Sequence, residues 1–401
     1  MLKNRWSKFA VLYVGAVAVS LSQLKVVPVM KQLAAETGMP ISDISWLMSI
    51  FTISGIFLAI PGATLLTKFG AKQLAVLLMC CLALGNVMGA LTSNFTGLLI
   101  SRAVEGIAFS MIIMVGIVLI NYWFPEEKAG TPIGTFGIFS AVGSLIGMNV
   151  TLPIVEQLGL RSVWWILAVI ALVAAVLFQV LLDGPPKESV SERKAKNVSL
   201  LEALRNGRTW LLALAQGCMA FVLFTFITIY PQLFTDFYGL STESANFYAS
   251  LFGLFGIPFG VVAGYLVDRT GKPELLTFVA YIMLTFSCVA ATYLSSALYV
   301  VQLFVLSGSV GLVSCIIMIM ASRFVKRKEL IGYSVSFINM IYYIGIVVGA
   351  PFVLKIIEKS GWQMGMNMLS IVAGVGTVSI FVLLLMKQPA RVGQQVMKGE
   401  E

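Results

Sequence analysis

Three side chains that carry charge at neutral pH fall where the chain otherwise reads as hydrocarbon. Arg102 and Glu105 lie three residues apart in "FTGLLISRAVEGIAFSMIIMVGIVLI", and Lys25 lies in "VAVSLSQLKVVPVM". Residues three apart on a helix share a face, so Arg102 and Glu105 can meet. A carboxylate shielded from water beside an arginine is a natural group to take up and release a proton. Two cations against one carboxylate leave a positive surplus, which suits an anionic or strongly polar ligand better than a lipophilic cation. Each residue also has a structural alternative. Arg102 can tie its helix to a neighbour through hydrogen bonds, Glu105 can serve simply as its counter-ion, and Lys25 can snorkel to an interface.

The elements that must position these groups follow from composition. Hydrophobic residues make up 59% of the 401, charged residues 11%, and the mean hydropathy is +0.94. Soluble domains carry about a quarter charged residues, so the chain reads as an all-α membrane protein. Apolar runs of about 20 residues are spanning helices. Twelve are predicted, at 9–29, 45–66, 73–93, 97–121, 131–154, 162–182, 209–231, 245–267, 274–295, 297–321, 331–354 and 362–386. The first is too long for a signal-peptide core and lacks a small-residue cleavage site, so it is expected to be retained. Between spans, 21 Lys and Arg fall on the side of the chain ends against 4 on the other. The positive-inside bias then puts both termini in the cytoplasm, with a bacterial plasma membrane as the expected location. This asymmetry accounts for the net charge of +9 without a nucleic-acid partner.

Depth brings the three charges together. At about 1.5 Å per residue, Lys25 lies about 25 Å above the start of span 1, and Glu105 about 24 Å above the inner end of span 4. Each would cost about 2.5–3.5 kcal/mol at mid-bilayer on insertion scales, so they are expected to face one another or water. With Lys25 level with the pair, SRAVEG is expected to set charge on the wall of a polar passage.

One long polar segment, residues 183–208, separates six spans from six. The expected units are residues 1–182, a cytoplasmic linker 183–208, and residues 209–401. Ser199 and Glu202 fit a capping box in the linker. The halves echo each other: "PGATLLTKFGAK" after span 2 aligns with "VAGYLVDRTGK" after span 8 when Gly70 is set on Gly271, an offset of 201. GxxxG recurs at Gly143–Gly147 and Gly345–Gly349. Two like-oriented six-helix halves with a site between them is a transporter plan.

With Gly264-Tyr-Leu-Val-Asp268-Arg269-Thr-Gly271-Lys272 after span 8, the chain resembles the major facilitator superfamily, whose hallmark is G-x-x-x-D-R-x-G-R/K. "RAVEG" and "WFPEEKAG" are also similar to that family's habits. The resemblance implies that spans 1 and 4 line a central cavity. It also implies that Asp268, Arg269 and Lys272, with Lys68 of the first-half copy, form a gate on the cytoplasmic side. Thr67 stands where that copy would have its acid. Lys25 and Pro28 late in span 1 loosely resemble the cyanate and nitroimidazole permease group. The G-P-x-x-G-G ending of drug–proton antiporters is absent from span 5, where Met148 replaces the proline.

Other candidates for the substrate site are Gln216, Gln302, Asn339, Tyr342 and Tyr343, of which Asn339 and the tyrosines sit at helical spacing. Amides and tyrosines also pack between helices without touching a ligand. The five cysteines lie within spans and read as packing residues; histidine is absent. No metal cluster, nucleotide loop or cofactor motif is present, so neither an enzyme nor ATP-driven transport is expected. Trp46, Trp123, Trp164 and Trp165 sit near span ends and read as interface anchors. The expected protein is a monomeric secondary transporter of a small organic or inorganic anion, with proton symport as the simplest coupling. Uniport or exchange without protons is an alternative, as are a proton-coupled exporter of drugs or neutral metabolites and a transport-dead sensor or scaffold.

Overall fold

The computed structural model describes residues 4–58, 61–124, 130–185, 205–294, 298–324 and 331–386. Twelve helices in it are long and apolar enough to cross a membrane. Spans 1 to 6 are Arg5–Thr37, Ile41–Leu58, Ala71–Leu91, Phe95–Trp123, Thr131–Leu158 and Ser162–Leu181. Spans 7 to 12 are Gly207–Phe237, Thr242–Thr270, Pro273–Ala290, Tyr299–Ala321, Tyr333–Ser360 and Trp362–Leu385. The count matches the sequence expectation. Two boundaries differ for physical reasons. Pro28 lacks the N–H a helix needs, so span 1 breaks after Leu24 into a 3₁₀ turn at Val27–Val29 and resumes at Met30–Thr37. Span 2 is shorter than predicted, and its polar end forms a separate helix, Gly62–Phe69. The capping box at Ser199 and Glu202 lies outside the described residues.

Local signals set the helix ends. Asn94 and Ser241 cap spans 4 and 8 by accepting from the N–H of Gly97 and Ser244. Gly70 and Gly271, the paired motif glycines, both hold positive φ, at 78° and 64°. Only glycine adopts that conformation without strain, which is why the chain can leave one helix there and start the next.

The packing repeats. Span 1 packs on span 5, 2 on 4, 3 on 4 and 3 on 6; six helices later, 7 packs on 11, 8 on 10, 9 on 10 and 9 on 12. The GxxxG glycines explain the first of these pairs. Gly143 approaches Ser20 and Leu21 of span 1 with no room for a Cβ, and Gly345 and Gly349 do the same against Gly217, Phe221 and Thr225 of span 7. Close backbone approach through small residues is how helices associate where apolar burial supplies no driving force. The halves meet through spans 2 and 11 and spans 5 and 8, pairs that exchange under the same repeat.

Polar contacts between the halves lie at mid-span and at the face remote from the chain ends. Lys31 reaches Asp236 at 2.6 Å. Glu358 of span 11 accepts from the Ser42 backbone N–H at 2.9 Å and from its hydroxyl at 2.6 Å. Asn149 donates to Ser250 nearer mid-span. On the side of the chain ends, among the described residues, no ion pair or hydrogen bond joins the halves. The polar contacts between the halves, among the described residues, thus gather toward the remote face. Within the first half, Lys8 donates to both oxygens of Asp183, at 2.8 and 2.7 Å, and Trp123 adds a third bond at 2.8 Å. Partial burial pushes the Asp183 carboxyl up, but the bonds from Lys8 and Trp123 outweigh it and hold it below the usual carboxylate range.

Two outcomes follow. Glu358→Ala removes the bonds that join Ser42 to span 11, worth about 1 kcal/mol at this exposed position, or a shift of about fivefold toward opening at the remote face. Faster labelling of a Gln232→Cys reporter by a membrane-impermeant thiol reagent, with the native cysteines replaced, would register it. The Lys8–Asp183 tie, because Asp183 is held low, contributes fully above the unfolded carboxylate value of about 3.9 and is lost as pH falls through Asp183's lower one. Melting curves of the wild type and Lys8→Met should therefore differ at neutral pH and converge only below about pH 4.

Candidate functional site

The three predicted charges meet. Glu105 Oε2 accepts from Lys25 Nζ at 2.9 Å, from Arg102 Nη1 at 2.7 Å and from the Ser22 hydroxyl at 2.5 Å. Lys25, Arg102 and Glu105 are 1%, 0% and 0% exposed. They are drawn from spans 1 and 4, whose residues in the part of each span remote from the chain ends are brought to one level by the helical rise, as depth counting predicts. Lys25 does not snorkel. It is enclosed by Asn86 Oδ1 at 2.6 Å and the Trp164 ring at 4.6 Å.

Arg102 is committed to the backbone. Its Nε donates to Leu47 O of span 2 at 2.9 Å, Nη1 to Ser22 O at 2.6 Å and Nη2 to Gln23 O at 2.8 Å, while Phe51 stacks beneath it at 4.3 Å. The Ser22 and Gln23 carbonyls are freed by the turn where span 1 approaches Pro28, and with Leu47 O of span 2 they let the guanidinium tie spans 1, 2 and 4 together. Gly106 and Gly85 make room for this cluster. A Cβ on Gly106 would strike the Phe51 carbonyl, and one on Gly85 would strike Glu105.

Where the sequence predicts charge on the wall of an open passage, the structure encloses it. The cluster lies inside the first six helices, walled by side chains and carbonyls of spans 1, 2, 3, 4 and 6. Trp164 is also not an interface anchor. It is 0% exposed and packs against Lys25 and Gly89, its place near a span end having suggested otherwise. Trp46 and Trp165 are exposed, as anchors are.

In the second half the candidates separate. Gln302 accepts from Tyr230 at 3.0 Å and donates to Ser287 O at 2.9 Å, joining spans 7, 9 and 10. Gln216 is buried with Oε1 unpartnered among the described residues. Tyr342 and Tyr343 stand edge to face at 5.6 Å, and the Tyr343 ring packs on Gly55 of span 2, across the halves. Asn339 is half-buried one turn away. No hydrogen bond or ion pair among the described residues joins any of these to the Lys25–Glu105 cluster. Asp268, Arg269, Lys272 and Lys68 are exposed on the side of the chain ends, and among the described residues none pairs across the halves.

Sequence reasoning missed Asn86 and Ser22. Asn86 donates to Leu82 O at 2.8 Å and to Ser22 Oγ at 3.2 Å, which fixes its amide and turns Oδ1 to Lys25. The available signal was a lone amide deep in "LLMCCLALGNVMGAL". Gln23 Nε2 and Asn246 Oδ1 are further buried polar atoms left without partners among the described residues.

Twelve apolar helices in two like-packed sets, with a charge cluster enclosed in one, define a multi-pass membrane protein of α-helical type. The chain belongs to the Major Facilitator Superfamily, whose description matches residues 12–350. It is similar to the uncharacterized MFS-type transporter YhcA of Bacillus subtilis, 28% identical over 44% of this chain and 34% of that protein. It is 24% identical to the hexuronate transporter of Bacillus subtilis over 57% of each chain. It is also 24% identical to the quinolone resistance protein NorA of Staphylococcus aureus, over 68% of this chain and 70% of that one. The chain thus spans a third to a little over two thirds of the length of these relatives.

Removing one partner of a buried ion pair leaves its counter-charge stranded, at about 3–5 kcal/mol. Glu105→Ala should lose about that much stability, since it strands two cations. Lys25→Met, which leaves Arg102 and Glu105 paired, should cost much less. Thermal unfolding in detergent, compared across the two variants, gives the order.

Proposed function

We propose that the chain is a secondary active transporter that moves a small organic or inorganic anion by alternating access, coupled to protons. The observation that carries this reading is the composition of the cluster: Lys25 and Arg102 against the single carboxylate of Glu105, all buried. Arg102, bound to three backbone carbonyls, contributes a fixed positive charge. Lys25 has only Asn86, Glu105 and a ring face, so it is the releasable cation. When Glu105 takes a proton, Lys25 loses its counter-ion and becomes free to hold an anion, with Arg102 supporting it. Symport follows, because proton and anion each make room for the other's charge.

In this reading the two six-helix halves, 1–182 and 209–401, move about the linker 183–208. Gln216, Asn339, Tyr342 and Tyr343 approach the substrate from the second half, and Gln302 braces spans 7, 9 and 10 behind them. Asp268, Arg269, Lys272 and Lys68 form the gate on the side of the chain ends, which the Lys/Arg bias assigns to the cytoplasm. The remote face, where the polar contacts between the halves gather, is then the outer one, and the membrane a bacterial plasma membrane. The name of the hexuronate transporter supports an organic anion. The name of NorA supports the second reading, a proton-coupled exporter of drugs.

Reconstitution in proteoliposomes with D-glucuronate, sulfoacetate and a lipophilic cation separates the readings. The anion reading expects anion uptake that Lys25→Ala abolishes. It expects Glu105→Gln to keep exchange while losing accumulation driven by a pH gradient. Cation export that depends on Glu105 would instead establish the exporter.

A further inference from the structure

The buried cluster holds one more positive charge than negative, and the structure shows what stands in for the missing carboxylate. Each cation is covered by an aromatic face, Trp164 over Lys25 and Phe51 over Arg102, at 4.6 and 4.3 Å. Such faces attract a cation without neutralising it. Backbone carbonyls take up the remaining guanidinium donors. The side chain placed to supply a second negative charge is Asn86, whose Oδ1 meets Lys25 Nζ at 2.6 Å. It is fully buried. An aspartate of the same shape there would give two carboxylates for two cations and close the account.

We propose that Asn86 is a specificity-determining residue: by holding Lys25 with an amide oxygen in place of a carboxylate, it keeps the cluster one charge positive, and that surplus selects an anion. This inference rests on the anion reading above and adds the residue that sets its sign. The amide also fixes direction. Asn86 Nδ2 donates to Leu82 O and to Ser22 Oγ, so the Ser22 proton points to Glu105 Oε2. Three donors then converge on Oε2, and Oε1 stays buried without a partner. A proton arriving at Oε1 meets an unoccupied acceptor and removes the charge that holds Lys25.

Position 86 has a counterpart that supports its role. The repeat offset of 201 sets Asn86 on Ser287 and Ser101 on Gln302. In the second half the Gln302 side chain accepts from Tyr230 and donates to the backbone carbonyl of Ser287, neutral bonds in which the side chain at the position matching Asn86 takes no part. Amides and hydroxyls at this level are therefore enough to hold the three helices together. A structural role alone does not require the amide at position 86 to face a lysine.

The test measures thermal unfolding of the full chain in detergent, with and without added D-glucuronate, sulfoacetate and nitrate. The wild type should melt higher in at least one anion. Asn86→Asp should melt at or above the anion-free wild type and lose the anion response. Asn86→Ala, which keeps the surplus charge but not the shape, should retain the response. Should both the wild type and Asn86→Asp respond alike, or Asn86→Ala lose its response, position 86 does not set the charge and only this inference falls. Absence of any response in the wild type would overturn it together with the anion reading. If Asn86→Asp fails to fold, the Asn86→Ala result decides alone.

Discussion

A carboxylate that receives three donors on one oxygen holds the first half of this molecule together. Among the described residues, Glu105 is the single negative charge within reach of Lys25 and Arg102. Without it, two cations would lie in a medium that solvates neither. Around it, Ser22 and Asn86 from spans 1 and 3 complete the hydrogen bonds, and Trp164 from span 6 closes the far flank of Lys25. Arg102 extends the same network to span 2. Five of six helices are thereby registered against one side chain. The glycines that approach Phe51 and Glu105 are small because this register leaves no room for more.

The two halves solve one packing problem with different chemistry. Span 5 on span 1 and span 11 on span 7 both use GxxxG, and spans 2 and 8 meet spans 4 and 10 over further glycines. At mid-height the resemblance ends. One half is cross-linked by ions, the other by Tyr230, Gln302 and Ser287. A neutral network can lose a member at the cost of a hydrogen bond, about 1–3 kcal/mol. The ionic one tolerates less.

How far the sequence reveals this depends on what each residue's chemistry demands. Lys25, Arg102 and Glu105 were legible because a charge in an apolar run has few places to go, and counting helical rise puts all three at one depth. The paired glycines were legible because they repeat at nearly the same offset, 201 for Gly70 and Gly271 and 202 for the two GxxxG pairs. Asn86, Ser22 and Trp164 were not. Neutral polar residues are common in spans, and a tryptophan near a span end has an ordinary explanation at the interface. The enclosure of the cluster was also hidden, since it depends on how six helices close around it. So was the pairing of Ser42 with Glu358, which joins residues 316 apart and exists only where the halves touch.

The uneven placement of ionisable groups has an electrical consequence. A unit of uncompensated charge fixed inside one half feels the transmembrane potential, worth about 2.3 kcal/mol per 100 mV for a full traverse of the field. A half that rocks carries its charge through only part of that drop. Under the proposed symport, the empty half carries one positive charge, and the half loaded with a proton on Glu105 and a monovalent anion carries one as well. The potential then acts alike on both strokes, and net accumulation would be driven by the pH gradient and not by voltage.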